Sequence, residues 1–473
     1  MNTILRSFLE KTVTTGNLTL LGCQGDRFTI GDGTGAPITL RFKSAAAERA
    51  VALDPALKLG ECYMEGEIDF ETGTVYDLIM LIYRNAGRQL VSAPWMRALE
   101  HLRIAWRRFH QLNTRIRAKG NVQRHYDLSA DLYRMFLDPD MQYSCAYFSN
   151  PDMGLADAQL AKKRHIAAKL LLREGQDVLD IGCGWGGMGL YLARVAGADV
   201  SGVTLSVEQL AVAERRARAE ALAERVDFRL QDYRDITETF DRIVSVGMFE
   251  HVGINHYDTF FHKAAAMLRP GGVMLLHTIG RADPPGATNP FIHKYIFPGG
   301  YIPALSEVMH SAEKSGLIVT DVEILRLHYA ETLKAWREAF MARRDEARAL
   351  YDEAFCRMWE FYLAGSEASF REGGLSIFQL QLAHRVEDVP ITRDYMLEEE
   401  ARLGQREVVN GIPAPAWPED WPDGRDKGPA PAAPVAGDGQ LTLGEAPVPA
   451  RPSAANADNA LGREGRKASA NGA

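Results

Sequence analysis

The sequence predicts an α/β protein built on a parallel, doubly wound sheet, with a small α+β domain ahead of it. Three observations carry this. Between about 160 and 330, apolar strand-like runs alternate with amphipathic helical runs, and repeated β-α-β units of this kind bury a parallel sheet between helical layers. The first of those strands runs into VLDIGCGWGG (178–187), where an acid precedes four glycines within six positions. Near the start, NLTLLG, RFTIGDG and APITLRF are short strand-like segments punctuated by Gly and Asp.

Taken in order, those three segments are followed by helical patterns around 46–57 and 74–86, which complete a domain over 1–94. From Trp95 to Lys119, Leu99, Leu102, Trp106, Phe109, Leu112 and Ile116 recur at helical spacing, giving one apolar face. The other face is basic: Arg97, Arg103, Arg107, Arg108, Arg115, Arg117 and Lys119 have only Glu100 as a nearby acid. Such a helix, over 95–120, suits either a solvated connection between domains or an anionic lipid surface. The main domain, 121–405, then offers the strands QDVLDIGCG, DVSGVTLS, VDFRLQD, DRIVSVGMFEHV and VMLLHTIG between helical runs, and a mostly helical pattern over 331–405. From Pro413 to residue 473 the chain is rich in Pro, Ala, Gly and Asn, with no aromatic residue after Trp421, and is expected to be disordered.

The totals narrow the function. With 473 residues, 46% hydrophobic and 25% charged, the chain can build more than one core, and a net charge of -8 argues against a general nucleic-acid binder. The first thirty residues lack a long apolar segment and no run approaches the roughly 18 apolar residues of a membrane span, so a cytoplasmic protein is expected. Cys23, Cys62, Cys145, Cys183 and Cys356 form no C-x-x-C pair, so neither a disulfide framework nor a metal site is expected.

Glycine lets a strand-to-helix turn approach a ligand closely and adopt positive φ, so Gly182, Gly184, Gly186 and Gly187 read as a cradle. Their spacing is D-x-G-x-G-x-G, not the G-x-G-x-x-G of dinucleotide-binding loops. It resembles the loop that holds S-adenosylmethionine in class I methyltransferases, which implies a Rossmann-like domain with Asp180, Gly182, Gly184 and Gly186 at the cofactor. Where that fold usually ends its second strand in an acid for the ribose hydroxyls, this chain has Thr204 and Ser206; Gln209, one turn on, can donate and accept in its place. Asp232, Tyr233 and Arg234, after the third strand, are placed either to touch the adenine or to cap the strand end. Cys183 reads as a small filler beneath the cofactor.

Further motifs specify the reaction. NVQRHYDLSADLYRMFLDPDMQYSCAYF (121–148), VLDIGCGWGG, GVTLSVEQ, RIVSVGMFEHVG, LLHTIG and KYIFPGGYIP stand in one order across 121–385. Together they resemble cyclopropane-fatty-acyl-phospholipid synthases and the related mycolic acid cyclopropane synthases. The resemblance implies methylene transfer from S-adenosylmethionine to the cis double bond of acyl chains in membrane phospholipids. It also implies a bound bicarbonate base held by Cys145, Glu250, His277, the Ile279 backbone and Tyr329. Tyr143 and Ser144 would reach the methionine end of the cofactor, with His125 and Tyr126 ordering a lid. An ionised carboxylate repels an anion, so Glu250 and His277 are expected to form a hydrogen-bonded, proton-sharing pair. Each residue also has a plain reading: Cys145 as a buried filler, His277 as a core histidine, Tyr329 as a packed aromatic.

Relatives of this kind carry an active-site cysteine near the C-terminal end, where this chain has Ser366. A hydroxyl without a partnered base is a poor nucleophile, which favours the cysteine being dispensable. The resemblance further implies an acyl tunnel near FIHKYIFPGGYIP, docking on the anionic inner face of the membrane through the basic helix, and a homodimer. A related lipid C-methyltransferase, giving a methyl- or methylene-branched or furan-precursor fatty acid, would share every step up to the carbocation. A lipid-binding protein with a vestigial methyltransferase fold is the alternative from another class.

Overall fold

A computed structural model describes residues 1–86, 98–99, 101–105 and 129–412. Most of the basic helix (Arg97, Arg107, Arg108, Arg115, Arg117, Lys119), together with His125, Tyr126 and the tail at 413–473, lies outside the described residues.

The N-terminal strands are β1 (Leu18–Leu21), β2 (Arg27–Ile30), β3 (Ile38–Phe42) and β4 (Ile68–Thr72), in the order β2-β1-β3-β4. Leu18, Leu20, Ile38, Leu40, Phe42 and Ile68 are buried and face the helices Thr3–Thr12 and Ala45–Leu53 in one core. The single helix expected over 46–57 is two, broken between Leu53 and Pro55: a proline cannot continue the hydrogen-bond ladder but is at home in a first turn, so Pro55–Met64 starts afresh. The helix Val75–Ala86 stands where 74–86 predicts it.

The main sheet comprises β5 (Asp177–Ile181), β6 (Asp199–Thr204), β7 (Val226–Leu230), β8 (Phe240–Val246), β9 (Leu268–Arg281), β10 (Ile318–Ile324) and β11 (Leu375–Ala383). Its order is β10-β11-β9-β8-β5-β6-β7, with β11 antiparallel to both neighbours and the β5–β9 pairs parallel. The five expected strands are β5 to β9, and the chain steps from β5 outward in both directions. That switch leaves a crevice beyond the carboxyl ends of β5 and β8, where ligands of such sheets bind.

The helical expectation over 331–405 holds for His328–Ala342, Arg344–Leu350, Glu353–Arg371 and Asp394–Asn410 but fails at β11. LSIFQLQLA pairs with β9 along its whole length, from Leu375 against Arg281 to Ala383 against Val273. Gly373 and Gly374, the latter at φ +77°, end the preceding helix, and Phe378, Leu380 and Leu382 then alternate with Gln379 and Gln381 as in a strand, both sets being buried. The helix Leu155–Lys169 lies against this half of the sheet beside Asp394–Asn410.

Candidate functional site

The glycine loop turns sharply over β6. The N–H groups of Gly182 and Cys183 both donate to the Val203 carbonyl, at 2.9 and 3.0 Å. Gly182 has φ +89°, and a Cβ there would stand 2.8 Å from Met248 Cβ. Gly184, at φ +55°, faces open space. Gly186 instead packs against Phe228 and Ala213, and a Cβ on Gly187 would come within 2.3 Å of Gln142 Nε2 and 2.6 Å of Asp140 Oδ2. Two of the four glycines thus admit the chain's own segments rather than a ligand.

A cavity lies over this loop. Among the residues named from the sequence, Asp180, Gly182 and Gly184 form its floor, Tyr143 and Ser144 one wall, and Thr204, Gln209, Asp232, Tyr233 and Arg234 the far side. Gly186 and Ser206 do not line it. Ser206 caps the helix Val207–Ala219, its hydroxyl accepting from the Gln209 N–H at 3.2 Å. The Thr204 hydroxyl donates to Gln209 Oε1 at 2.9 Å, which turns the amide NH2 of Gln209 away from that contact. Asp232 does what its plain reading says, capping the Arg234 N–H at 3.0 Å and pairing with the Arg234 guanidinium at 2.5 and 2.8 Å. Asp180 is buried, its Oδ2 has no hydrogen-bond partner among the described residues, and burial pushes its pKa up to about 7. An orphaned carboxylate oxygen on a glycine-lined floor fits a ligand that carries hydroxyls or a positive charge.

The wall at 138–144 is held by charges that the sequence reading missed. Asp138 accepts the N–H groups of Asp140 and Gln142, at 3.0 and 2.8 Å, around Met141 at φ 54°. Asp140 pairs with Lys163 at 2.6 Å and with Arg216, whose other arm reaches the Trp185 carbonyl at 3.0 Å in the glycine loop. Lys162, fully buried, donates to Gln142 Oε1 at 2.6 Å and Ser144 Oγ at 2.9 Å, and burial pulls its pKa down to about 8. Cations in the run AKKRH of a helix read as a solvated face; only the three-dimensional neighbour, the acidic DPD turn, marks them as buried. His251 also lines the cavity, brought down to about 4 by burial.

None of Cys145, Glu250, His277, Ile279 and Tyr329 lines this cavity; Cys145 follows Ser144 in the chain, Glu250 precedes His251, His277 pairs with Val246 across the sheet, and Tyr329 reaches the cavity wall only through an apolar cluster. Tyr143, Cys145, Trp185 and Tyr329 share one apolar cluster, in which Tyr143 stacks on Trp336 and its hydroxyl meets that of Tyr362 at 2.8 Å. Cys145 is buried, its thiol directed to the Ala146 carbonyl at 3.2 Å and its pKa driven up by burial, so it is no thiolate nucleophile. Ser366 sits half-buried on the helix Glu353–Arg371.

Glu250 follows β8 in a short 3-10 turn, and His277 and Ile279 lie on β9. The expected hydrogen bond between Glu250 and His277 is not formed. Glu250 Oε1 accepts the Ile279 N–H at 2.6 Å, and His277 Nδ1 lies 3.1 Å from Gln379 Nε2. Glu250 Oε2 and His277 Nε2 are both buried with no partner among the described residues. Burial raises the Glu250 pKa, against the lowering effect of the Ile279 N–H bond, and takes that of His277 well below its usual value, so the imidazole is neutral in these surroundings.

Among the described residues of the basic helix, Arg103 is taken up by Asp54 of the N-terminal region at 2.7 Å, an acid the sequence reading did not pair with it. No helix among the described residues is long and apolar enough to cross a membrane.

The family model of mycolic acid cyclopropane synthetase matches residues 113–380, and that of a domain of unknown function matches 9–93. The cyclopropane-fatty-acyl-phospholipid synthase of Escherichia coli is 40% identical over 75% of this chain and 90% of its own. The tuberculostearic acid methyltransferase of Mycobacterium tuberculosis is 37% identical over 73% of this chain and 83% of its own. A crystal structure of a mycolic acid cyclopropane synthase complexed with SAH and CTAB superposes with a TM-score of 0.53 at 38% identity, covering 56% of this chain and 97% of that one.

Proposed function

Because the chain belongs to the mycolic acid cyclopropane synthetase family, we propose that it transfers a methylene group from S-adenosylmethionine to the cis double bond of unsaturated acyl chains in membrane phospholipids, forming cyclopropane fatty acids. The observation that carries this reading is the pair of buried polar atoms without partners among the described residues, Glu250 Oε2 and His277 Nε2, beside an aromatic cluster that borders the cavity.

S-adenosylmethionine supplies an electrophilic methyl group when bound; Asp180, Gly182, Gly184, Thr204, Gln209 and the 232–234 turn would hold its nucleoside side, and Tyr143 and Ser144 its methionine side. An isolated alkene is a weak nucleophile, so the residues around the reacting carbons must exclude water and offer nothing more nucleophilic. Tyr143, Trp185, Tyr329, Trp336 and Phe370 supply such an apolar surface. Ring closure also requires that a proton leave. Bicarbonate, which would be held by Glu250, His277, Cys145 and Tyr329, supplies the base when bound. Burial raises the Glu250 pKa, which lessens the repulsion between its carboxyl group and an anion beside it. The Ile279 N–H, expected among the anion's donors, serves Glu250 instead and fixes its carboxyl.

We assign residues 1–94 to a lipid-binding-type domain, 95–120 to a docking helix and 121–405 to catalysis, with the enzyme held peripherally on the anionic inner face of the membrane as a homodimer. A methyl-branched product is the second reading, favoured by the relative named as a tuberculostearic acid methyltransferase. Incubating the purified chain with S-adenosylmethionine and vesicles of a monounsaturated phospholipid, then examining the acyl chains by mass spectrometry and NMR, tests the proposal. A gain of one CH2 with cyclopropyl protons supports the ring; the same gain with a methyl doublet or an exocyclic alkene supports a branch.

A further inference from the structure

The strand row that carries His277 extends across the sheet. The pairings of β9 with β11 and of β11 with β10 set His277, Gln379 and Glu323 directly opposite one another, so all three side chains project from one face. Lys169 and His165, from the helix Leu155–Lys169, close over that row. Lys169 Nζ donates to Gln379 Oε1 at 2.7 Å and pairs with Glu323. His165 bridges Glu323 at 2.7 Å and Glu400 at 2.5 Å. Gln381, two residues on, fastens the Lys169 carbonyl at 2.5 Å and the Tyr395 hydroxyl at 2.7 Å. Lys169, Gln379 and Gln381 are all essentially inaccessible.

An ammonium group has only donors, so Lys169 can engage only the carbonyl end of the Gln379 amide. The NH2 end then faces His277 Nδ1, which must accept, and a neutral imidazole that accepts at one nitrogen carries its proton on the other. On the functional reading above, we propose that Gln379, oriented by Lys169, is a positioning residue that locks His277 as its Nε2–H tautomer, making the ring a neutral hydrogen-bond donor to the anion. The same amide offers no acceptor to an Nδ1–H, so it opposes the imidazolium as well as the other tautomer. The anion thereby gains a donor without a full positive charge beside it, and so is not converted into a tight ion pair with lowered basicity.

The test uses the full chain labelled with 15N-histidine, without substrate, the His277 signals being assigned by their loss in His277→Gln. Wild type is expected to show His277 as the neutral Nε2–H tautomer at pH 7. In Gln379→Glu, a carboxylate can accept from Lys169 and from the ring together, so His277 should change to Nδ1–H, with turnover lower by about 10–100-fold and cofactor Kd within about twofold. Gln379→Met keeps the shape and removes the amide; it should give mixed tautomers and an intermediate rate, and it carries the test if the glutamate variant does not fold. An unchanged Nε2–H signal in the variants, or wild-type turnover in Gln379→Glu, overturns the proposal. The two readings fail separately: wild type that shows the tautomer but makes no modified lipid contradicts the function alone, and an active wild type whose tautomer ignores residue 379 contradicts the lock alone.

Discussion

Glu250 is tied to the backbone of Ile279, its Oε1 accepting that N–H at 2.6 Å while Oε2 is buried with no partner among the described residues. One oxygen anchors the carboxyl group, and the proposed anion would meet the other. Glu250→Gln can keep the anchoring bond through its amide oxygen but puts an NH2 group where Oε2 stood. Turnover should fall by at least about a hundredfold, while S-adenosylmethionine affinity, measured by calorimetry, stays within about twofold, because Glu250 does not line the cavity. Equal loss of both would make its role structural.

Lys162 is the hidden support of the cofactor wall. Lys162→Met leaves Gln142 Oε1 and Ser144 Oγ without their shared donor. Denaturant unfolding should show a loss of roughly 1–3 kcal/mol, and cofactor binding should weaken with it, since both acceptors belong to residues that line the cavity. Intact affinity would detach Lys162 from cofactor binding.

Gly187 and Gly184 separate two uses of glycine in one loop. Gly187→Ala forces a methyl group into the Gln142 amide and the Asp140 carboxylate, and should destabilise the fold by about 1–3 kcal/mol. Gly184→Ala meets no protein atom within 4 Å but strains a left-handed backbone, so it should cost cofactor affinity together with a smaller loss of stability. Melting curves with and without S-adenosylmethionine distinguish the two.

Asp180 sets a pH dependence. Its pKa is near 3.8 unfolded and about 7 when buried, so between those values the folded apo-protein binds more protons than the unfolded chain. This contribution to stability is therefore lost as pH rises from about 4 to 7. A cationic ligand favours the carboxylate, so binding S-adenosylmethionine should release a proton near pH 6 to 7, read from calorimetry in buffers of different ionisation enthalpy. Asp180→Asn should abolish that release; release that persists in the variant would assign it to another group.

The residues most legible in the sequence were those whose local pattern is also their function. D-x-G-x-G-x-G stands at the end of a strand, where close backbone approach matters, and residues 180 to 184 line the cavity. Gly186 and Gly187 were misread because a glycine made for a ligand and one made for Phe228 or Gln142 look alike in one dimension. Strand β11 carries the alternation of a strand, with Phe378, Leu380 and Leu382 against Gln379 and Gln381, but was passed over within a run of helical patterns. With it went Gln379, whose meaning depends on lying opposite His277. Glu250 and His277 were expected to bond to each other and do not, since the sequence supplies neither the Ile279 N–H nor the Gln379 amide that each one meets. Lys162 gave no signal: a cation in a charged helical run reads as solvated until the acidic turn it serves is folded against it.

On the proposed reaction, one methyl group becomes a ring carbon by losing a proton. The direct measurement supplies S-adenosylmethionine whose transferable methyl carries only deuterium, with monounsaturated phospholipid vesicles, and examines the acyl product by mass spectrometry and NMR. The expected product is a cyclopropane whose new carbon retains two deuterium atoms, with the alkene gone. A product retaining all three, or one that keeps an alkene beside the new carbon, would contradict it.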